Sequence, residues 1–440
     1  MRTLTSTLEN AQKTYVSPPL LKLTLTKTGE TTRTYDISTT TNRLRSLTHI
    51  EQEWSQIANI VIQSDSALAA LSLEGFQAVI GYGYNTSAGD ELSSAAPLEL
   101  VAQATNTNFM GRQTGLYTSF TAVGVFDMMS ADKASASYNQ EDTDTQTVKT
   151  LLTAIANATL SCFSHCKSYT ITFDSEDSLI DSYIPADYFH VAAGESRLSA
   201  FRKLIRTTKC KARIEDDGEI HVFNPTISGA TYDYEYNSPV TNHNFFEKGV
   251  RKRLVIPNRM IVETAPGIAP PYAGSATDAD SYAALGRYID SEPHYIRATS
   301  NSQCDAIATA MLQHLQVESE RGHGTVPMNC GQEVHDYVKF TDSIASDTRT
   351  GNIGYIARKF AIGKSFSMEF RFGKLAAEMP FMSMAGGADP FVTWATWEVM
   401  QELVGVIHEA TYMMFNTLYE DAKVHNWHVT KQLRIPEAYN

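Results

Sequence analysis

Between residues 22 and 130 one β-type run follows another with no helical periodicity between them, which restricts this part of the chain to a sandwich or a barrel. Leu23 and Leu25 precede a KTGET turn signal at 27–31. ANIVIQSD (58–65) and FQAVIGYGY (76–84) are β-branched or aromatic runs. PLELVAQAT (97–105) and GLYTSFTAVGVF (115–126) follow at turn-separated intervals. Gly81 and Gly83 form a bare G-x-G inside a strand. With no third glycine and no helix after it, this is read as a bend or bulge rather than a dinucleotide site.

The pattern changes at 143–160, where Val148, Leu151, Leu152 and Ile155 share one helical face, with Asp144 or Thr145 as the expected cap. A strand and an acidic loop follow. The loop's Asp174, Glu176, Asp177 and Asp181 lack the order and the glycine of an EF-hand, so a solvated loop is expected there. Residues 195–225 then read as one unit. Ser196 caps a helix whose Leu198, Phe201, Leu204 and Ile205 recur at helical spacing, with Arg197, Arg202, Lys203 and Arg206 between them on a solvated side. Ala212 and Ile214, an Asp217-Gly218 turn, and Ile220 with Val222 make a hairpin on which that helix lies.

From Tyr232 the pattern is again β-like, broken by a Pro/Gly/Ala-rich loop at 265–280 and by a helix at 302–317. In that helix Ser302 and Asp305 are expected to form a capping box, and Ile307, Met311, Leu312 and Leu315 line one side. Strands are expected in HDYVKFTD, GNIGYIARKFAIG and SFSMEFRFG. Residues 381–440 are expected to be helical and are apolar over a wide arc. Trp394, Trp397, Met400, Leu403, Ile407, Met414 and Phe415 are candidate contacts with another subunit or protein, since a monomer's surface helix carries a narrower stripe.

The formal charge of −13 argues against general affinity for nucleic acid or an anionic membrane. The N-terminal segment lacks the apolar core of a signal peptide, and no run approaches the roughly 20 apolar residues that span a bilayer. Five cysteines fit free thiols in a reducing compartment. Cys162, His165 and Cys166 with Cys210 are the best zinc candidates, but they lack a convincing fourth ligand, and no metal is expected. There is no HExxH, GxSxG or P-loop pattern, so no catalytic or cofactor-binding residues are expected and the chain is read as a non-enzyme.

SRLSAFRKLIRTTKCKARIEDDGEIHVFNP (196–225) resembles the helix-plus-hairpin of tailed-phage baseplate hub proteins, the late-control-protein family and its relatives in contractile injection machines. QCDAIATAMLQHL, RGHGTVPMNCGQEVHDYVKFTD and RTGNIGYIARKFAIGKSFSMEFRFG follow in the family's order, with Pro327, Asn329 and Gly331 and the terminal EFRFG as matching elements. The resemblance covers roughly 145–373 and, more faintly, the first β region. It does not extend to the C-terminal helices.

The resemblance implies an α+β, mostly β chain with two tube-type β-barrel domains, a helix–hairpin insertion domain and a helical C-terminal segment. The expected boundaries are 1–142, 143–231, 232–380 and 381–440. It further implies a structural virion protein: a homotrimeric hub at the distal end of the tail that adapts the sixfold tail tube to a threefold tip and lines the DNA channel. Its expected partners are the tail tube or distal tail protein ring, the tape-measure protein and tail-tip or spike proteins. Duplex DNA would pass without specific binding, in a virion tail assembled in the host cytoplasm. A receptor- or carbohydrate-binding tail-tip module and a cell-wall hydrolase are the alternatives.

Overall fold

Leu21, Leu23 and Leu25 alternate with Lys22 and Thr24, and in the computed structural model they form the inward row of the first strand. The structure describes residues 1–373 other than 15–16, 39–42, 111–112, 239–242, 244, 246, 253–255, 268 and 364–365. Helix α1 (Ser6–Gln12) leads into β1 (Pro19–Thr26), β2 (Arg33–Asp36), β3 (Arg43–Gln52) and β4 (Ser55–Gln63). After the short α2 (Ser66–Ala69) come β5 (Gln77–Thr86), β6 (Gly89–Ser94), β7 (Leu98–Met110) and β8 (Gln113–Val123). β5 pairs with β1 in unbroken register straight through Gly81 and Gly83, so the expected bend is absent. Gly83 instead lets β6 come close, because a Cβ there would lie 1.8 Å from the Glu91 carbonyl oxygen.

The chain next builds α3 (Val125–Ala131), β9 (Tyr138–Asn139), α4 (Val148–Ala156), β10 (Ile171–Asp174), α5 (Leu179–Ser182), β11 (His190–Val191), α6 (Arg197–Ile205), β12 (Lys211–Ile214) and β13 (Ile220–Phe223). β13 pairs antiparallel with β12 and parallel with β10, and α4 and α6 bury Val148, Leu151, Phe201 and Leu204 against Ile220 and Val222. Ser196 caps α6 as expected, its hydroxyl accepting from the Ser199 N–H, and Gly218 takes the positive φ of the hairpin turn. α4 is capped by Thr147. Asp144 is engaged in the turn before it, accepting from the Glu141 N–H.

β14 (Tyr234–Ser238) and β15 (Glu247–Lys252) return to the β region. A second excursion follows through β16 (Arg259–Thr264), β17 (Ala273–Thr277), α7 (Ala279–Leu285), β18 (His294–Ile296) and α8 (Asn301–Ser319). Its Met260, Val262, Ile296, Ile307 and Leu312 belong to the same core as Phe201 and Val222, so two excursions leaving the sheet at different points share one interior. At the start of α8 it is Ser300 that accepts from the Gln303 N–H, while Asp305 accepts from the Ser275 N–H of β17 and ties helix to strand.

The chain closes with β19 (Glu320–Pro327), β20 (Tyr337–Asp342), β21 (Asp347–Ala361) and β22 (Ser367–Phe372). The architecture is α+β and mostly β. The strands of both β regions form one 14-stranded sheet, in the order β15-β19-β22-β21-β3-β4-β8-β7-β5-β1-β2, with β6 on β5 and β20 joining β21 to β14. Among the described residues this pairing is an open path, and neither β region closes on itself into a hydrogen-bonded barrel. One core beneath the sheet runs from Leu23, Ile60 and Phe120 through to Phe340, Ile356 and Phe370.

Arg197, read from its spacing as part of a solvated face, is fully buried. Its guanidinium donates to the carbonyls of Ile155, Ala156 and Lys167 and to the Asp132 carboxylate, closing the C-terminal end of α4. Arg197→Ala strands these acceptors in the interior and should destabilise the protein by roughly 3–5 kcal/mol in denaturant unfolding. Arg202→Ala, on the same helix but partly exposed, should change it by about 0.5 kcal/mol or less. Equal effects would contradict the burial described.

Candidate functional site

The sheet contains an internal repeat. β3, β4, β7 and β8 lie in spatial order β3-β4-β8-β7, and β15, β19, β21 and β22 in the order β15-β19-β22-β21. Numbered along the chain, both sets read first-second-fourth-third, and every neighbouring pair is antiparallel. The sets are joined third strand to first: β21 pairs antiparallel with β3, from Tyr355 opposite Gln52 to Ala361 opposite Ser46.

The same two kinds of edge remain open at the ends. β7, the third strand of the first set, is paired with β8 along its length, but with β5 only at Leu98 and Glu99. A register shift between Leu100 and Ala102 leaves Val101 half exposed, and beyond it no described strand covers the outer side of β7. β15, the first strand of the second set, is paired with β19 alone among the described strands. Such edges present unpaired N–H and C=O groups to another strand. Residues 100–111 contain no charged side chain, and charge is one of the usual protections of an exposed edge.

Beneath the β21·β3 junction lies a buried cluster of charge. Arg358, opposite His49, is 0% exposed; its guanidinium pairs with Glu51, donates to the Gln332 carbonyl and faces the Tyr82 ring. Burial opposes ionisation of Glu51, but Arg358, His49 and Arg2 together outweigh it and hold the carboxyl below its usual range. Burial pushes His49 down to about 4, so its neutral ring shares a 2.9 Å hydrogen bond with the Tyr82 hydroxyl. The α+β layer plugs into this cluster through β12. Lys211 pairs with Glu53 at 2.7 Å, and Arg213 reaches Asp336 at 3.1 Å and Glu333 at 3.3 Å. Tyr82 stands out in the sequence only as part of the FQAVIGYGY run, and none of the charged residues of the cluster stands out there. A signal was present, since Ile356, Arg358 and Phe360, like Leu47, His49 and Glu51, are two apart on strands whose apolar members face inward.

The other sequence candidates are dispersed. Among the described residues, Cys162, His165, Cys166 and Cys210 do not bring three ligand atoms within 4.8 Å of one another. The Cys210 sulfur accepts from the Asp177 N–H, and burial pushes the thiols of Cys162, Cys166 and Cys210 up. In the acidic loop, Glu176 and Asp181 pair with Lys149, while Asp177 accepts from the Lys209 N–H. Asp217, Glu219 and His221 do converge within 4.8 Å. His221, however, has Nδ1 2.6 Å from Asp174 and Nε2 3.0 Å from Asp217, an arrangement that suits a doubly protonated imidazolium with no lone pair for a metal. Trp394, Trp397, Met400, Leu403, Ile407, Met414 and Phe415 lie outside the described residues.

No protein-family model matches this chain, and no curated protein matches it in sequence. Its fold does have solved counterparts. The tail protein from Neisseria meningitidis superposes with a TM-score of 0.55 at 10% identity, covering 81% of this chain and 96% of that one. The 43 kDa tail protein of prophage MuSo2 from Shewanella oneidensis superposes with a TM-score of 0.50 at 9% identity, covering 80% and 98%. The chain therefore shares the fold of these two tail proteins, over almost the whole of their length and about four-fifths of its own.

The geometry around His221 carries a pH dependence. Partial burial disfavours its charged ring, but hydrogen bonds to Asp174 and Asp217 outweigh this and raise its pKa above the ordinary histidine value. A raised folded-state pKa contributes stability that is fully present below the unfolded value of about 6.5 and lost as pH rises through the folded one. The loss of melting temperature caused by His221→Gln should therefore be largest below about pH 6.5 and should shrink toward pH 9. A pH-independent loss would show that the ring is not held protonated.

Proposed function

We propose that this chain is a non-enzymatic structural subunit of a phage-type tail, placed as a hub at its distal end, with three copies closing into a ring around the DNA channel. The tail role is supported by the fold shared with the Neisseria and Shewanella tail proteins. The single observation that carries the ring is the repeated sheet with its one filled and two unfilled junctions. Within the chain, the third strand of one set pairs with the first strand of the other, β21 with β3. The same pairing between copies joins β7 of one to β15 of the next.

Such a contact is heterologous, and repeated around an axis it closes into a ring. Two four-stranded sets per chain make six in a trimer, the number needed to meet a sixfold tail tube. The sheet face turned away from the core suits passage of DNA without retention. It carries Thr48, Asn59, Ser119 and Thr121 in the first set, and in the second Lys359 and Arg371, both near Glu369. Of the residues named, only Lys359 and Arg371 are cationic and both lie near Glu369, so on a chain of net charge −13 they offer no continuous track of cations to phosphate.

On this reading the partners are the tail tube or distal tail ring, the tape-measure protein and tail-tip or spike proteins, within a virion tail assembled in the host cytoplasm. Trp394, Trp397, Met400, Leu403, Ile407, Met414 and Phe415 are proposed as contacts to a neighbouring subunit or protein.

Native mass measurement and imaging of purified protein, alone and with its tube protein, test the ring. Three copies around an open channel are expected; a persistent monomer or a ring of six copies would overturn it. Ala104→Pro and Thr105→Pro remove successive N–H groups of β7, one facing β8 and the other the free edge. Whichever variant keeps the wild-type melting temperature should fail to trimerise. Deleting residues 391–440 should leave the β regions folded and impair assembly, while outright unfolding would place that segment in the subunit's own core.

A further inference from the structure

The basic side of α6, on which Lys203 and Arg206 are exposed and Arg202 is half-buried, borders a cleft. Arg202, Ile205 and Arg206 border a cavity of about 380 Å³ whose other walls include Trp54, Met260 and Met311. A second cavity of about 190 Å³ shares Lys203, His294 and Met311 with the first and is walled by Tyr188 and Tyr295. The charges around this cleft are unequally satisfied. Lys211 is paired with Glu53, and Lys203 with Glu195. Arg202 lies against the Trp54 ring, 5.6 Å from its centroid, and neither Arg202 nor Arg206 has a carboxylate within ion-pair distance among the described residues. Cations in the last turn of a helix suit its dipole. The dipole gives no reason for an apolar cleft of ligand size beneath them.

We propose that this cleft binds an acidic, apolar peptide segment of a partner protein, with carboxylates on Arg202 and Arg206 and an aliphatic side chain between Met260 and Met311. Four residues apart on a helix, the two guanidiniums lie on the same side and can each take a carboxylate in a two-pronged contact. The thioether and aromatic walls need an apolar group to fill them, which a free phosphate ion does not supply. A nucleic acid would need a longer run of free cations than two arginines on a chain of net charge −13. An acidic-aliphatic peptide matches both the charge and the lining, and recognition by paired arginines is an established mode for acidic motifs. The proposal is independent of the ring, because α6, α8 and β16 belong to one subunit.

Isothermal titration calorimetry on the full chain tests it, with a blocked hexapeptide alternating glutamate and leucine, its glutamine–leucine counterpart, and inorganic phosphate as probes. The glutamate peptide should bind, more weakly as salt is raised, and the glutamine peptide at least about tenfold less tightly. Arg202→Glu with Arg206→Glu should weaken the glutamate peptide by at least about tenfold, and Met311→Glu should do the same from the apolar side. Melting temperatures check that each variant is folded. If Met311→Glu unfolds the chain, Met311→Ala, expected to weaken binding several-fold, takes its place. No binding of the glutamate peptide, equal binding by the arginine variant, or phosphate binding as tightly as the peptide would overturn the proposal.

Discussion

The antiparallel pairing of β21 with β3 is the contact on which the rest of the molecule depends. It joins residues 355–361 to residues 46–52 and makes one sheet, over one core, from strands contributed by both ends of the described chain. A pairing this distant in sequence is expensive in chain entropy, so it must be specific. Specificity comes from period two: a slip of one residue would turn Ile356, Arg358 and Phe360 out of the core and bring Lys359 into it. Arg358 and Glu51 sharpen this choice. A buried ion pair contributes little net stability against an apolar pair of the same shape, whereas separating its members costs roughly 3–5 kcal/mol. The pair therefore penalises wrong registers more than it stabilises the right one.

The same cluster fixes the α+β layer to the sheet. Lys211 and Arg213 sit on the hairpin face opposite Ala212 and Ile214, so one side of β12 enters the core shared with α4, α6 and α8 while the other reaches Glu53, Glu333 and Asp336. Burial raises the pKa of Glu333 and Asp336, and Arg213 with the Met1 amino group pulls in the other direction. The helix–hairpin unit is thus keyed by charge as well as by apolar packing. That places α6, and the cleft it borders, in a defined position relative to the β7 and β15 edges on which the ring reading rests.

Much of the local structure was legible in advance because it depends on neighbours in sequence. The Ser196 cap, the Asp217-Gly218 turn, the apolar face of α4 and the strand character of β1, β4 and β5 all follow from side-chain size and backbone preference within a few residues. Three departures of the structure from these expectations share one cause. Helical spacing groups Arg197 with the solvated arginines because spacing cannot tell a guanidinium facing water from one facing the end of α4. Its place in sequence assigns Asp305 to its own helix terminus, but it bonds β17, and a glycine inside a strand suggests a bend or bulge, whereas Gly83 admits β6. In each case the deciding partner comes from another element.

The sequence by itself determined that the chain is α+β and mostly β, that it holds a helix–hairpin between two β regions, and which residues of that hairpin share its apolar face. The order of those units also carried the resemblance to tail hub proteins, and the fold shared with solved tail proteins agrees with it. Only the tertiary structure decided that the two β regions join through β21 and β3, that two excursions share one core, and that β7 and β15 are left with open edges. The physical reason lies in the backbone. Alternating side chains specify the face of a strand, but the N–H and C=O groups along its sides are the same in every strand, so the choice of neighbour is made by packing and charge across the whole sheet.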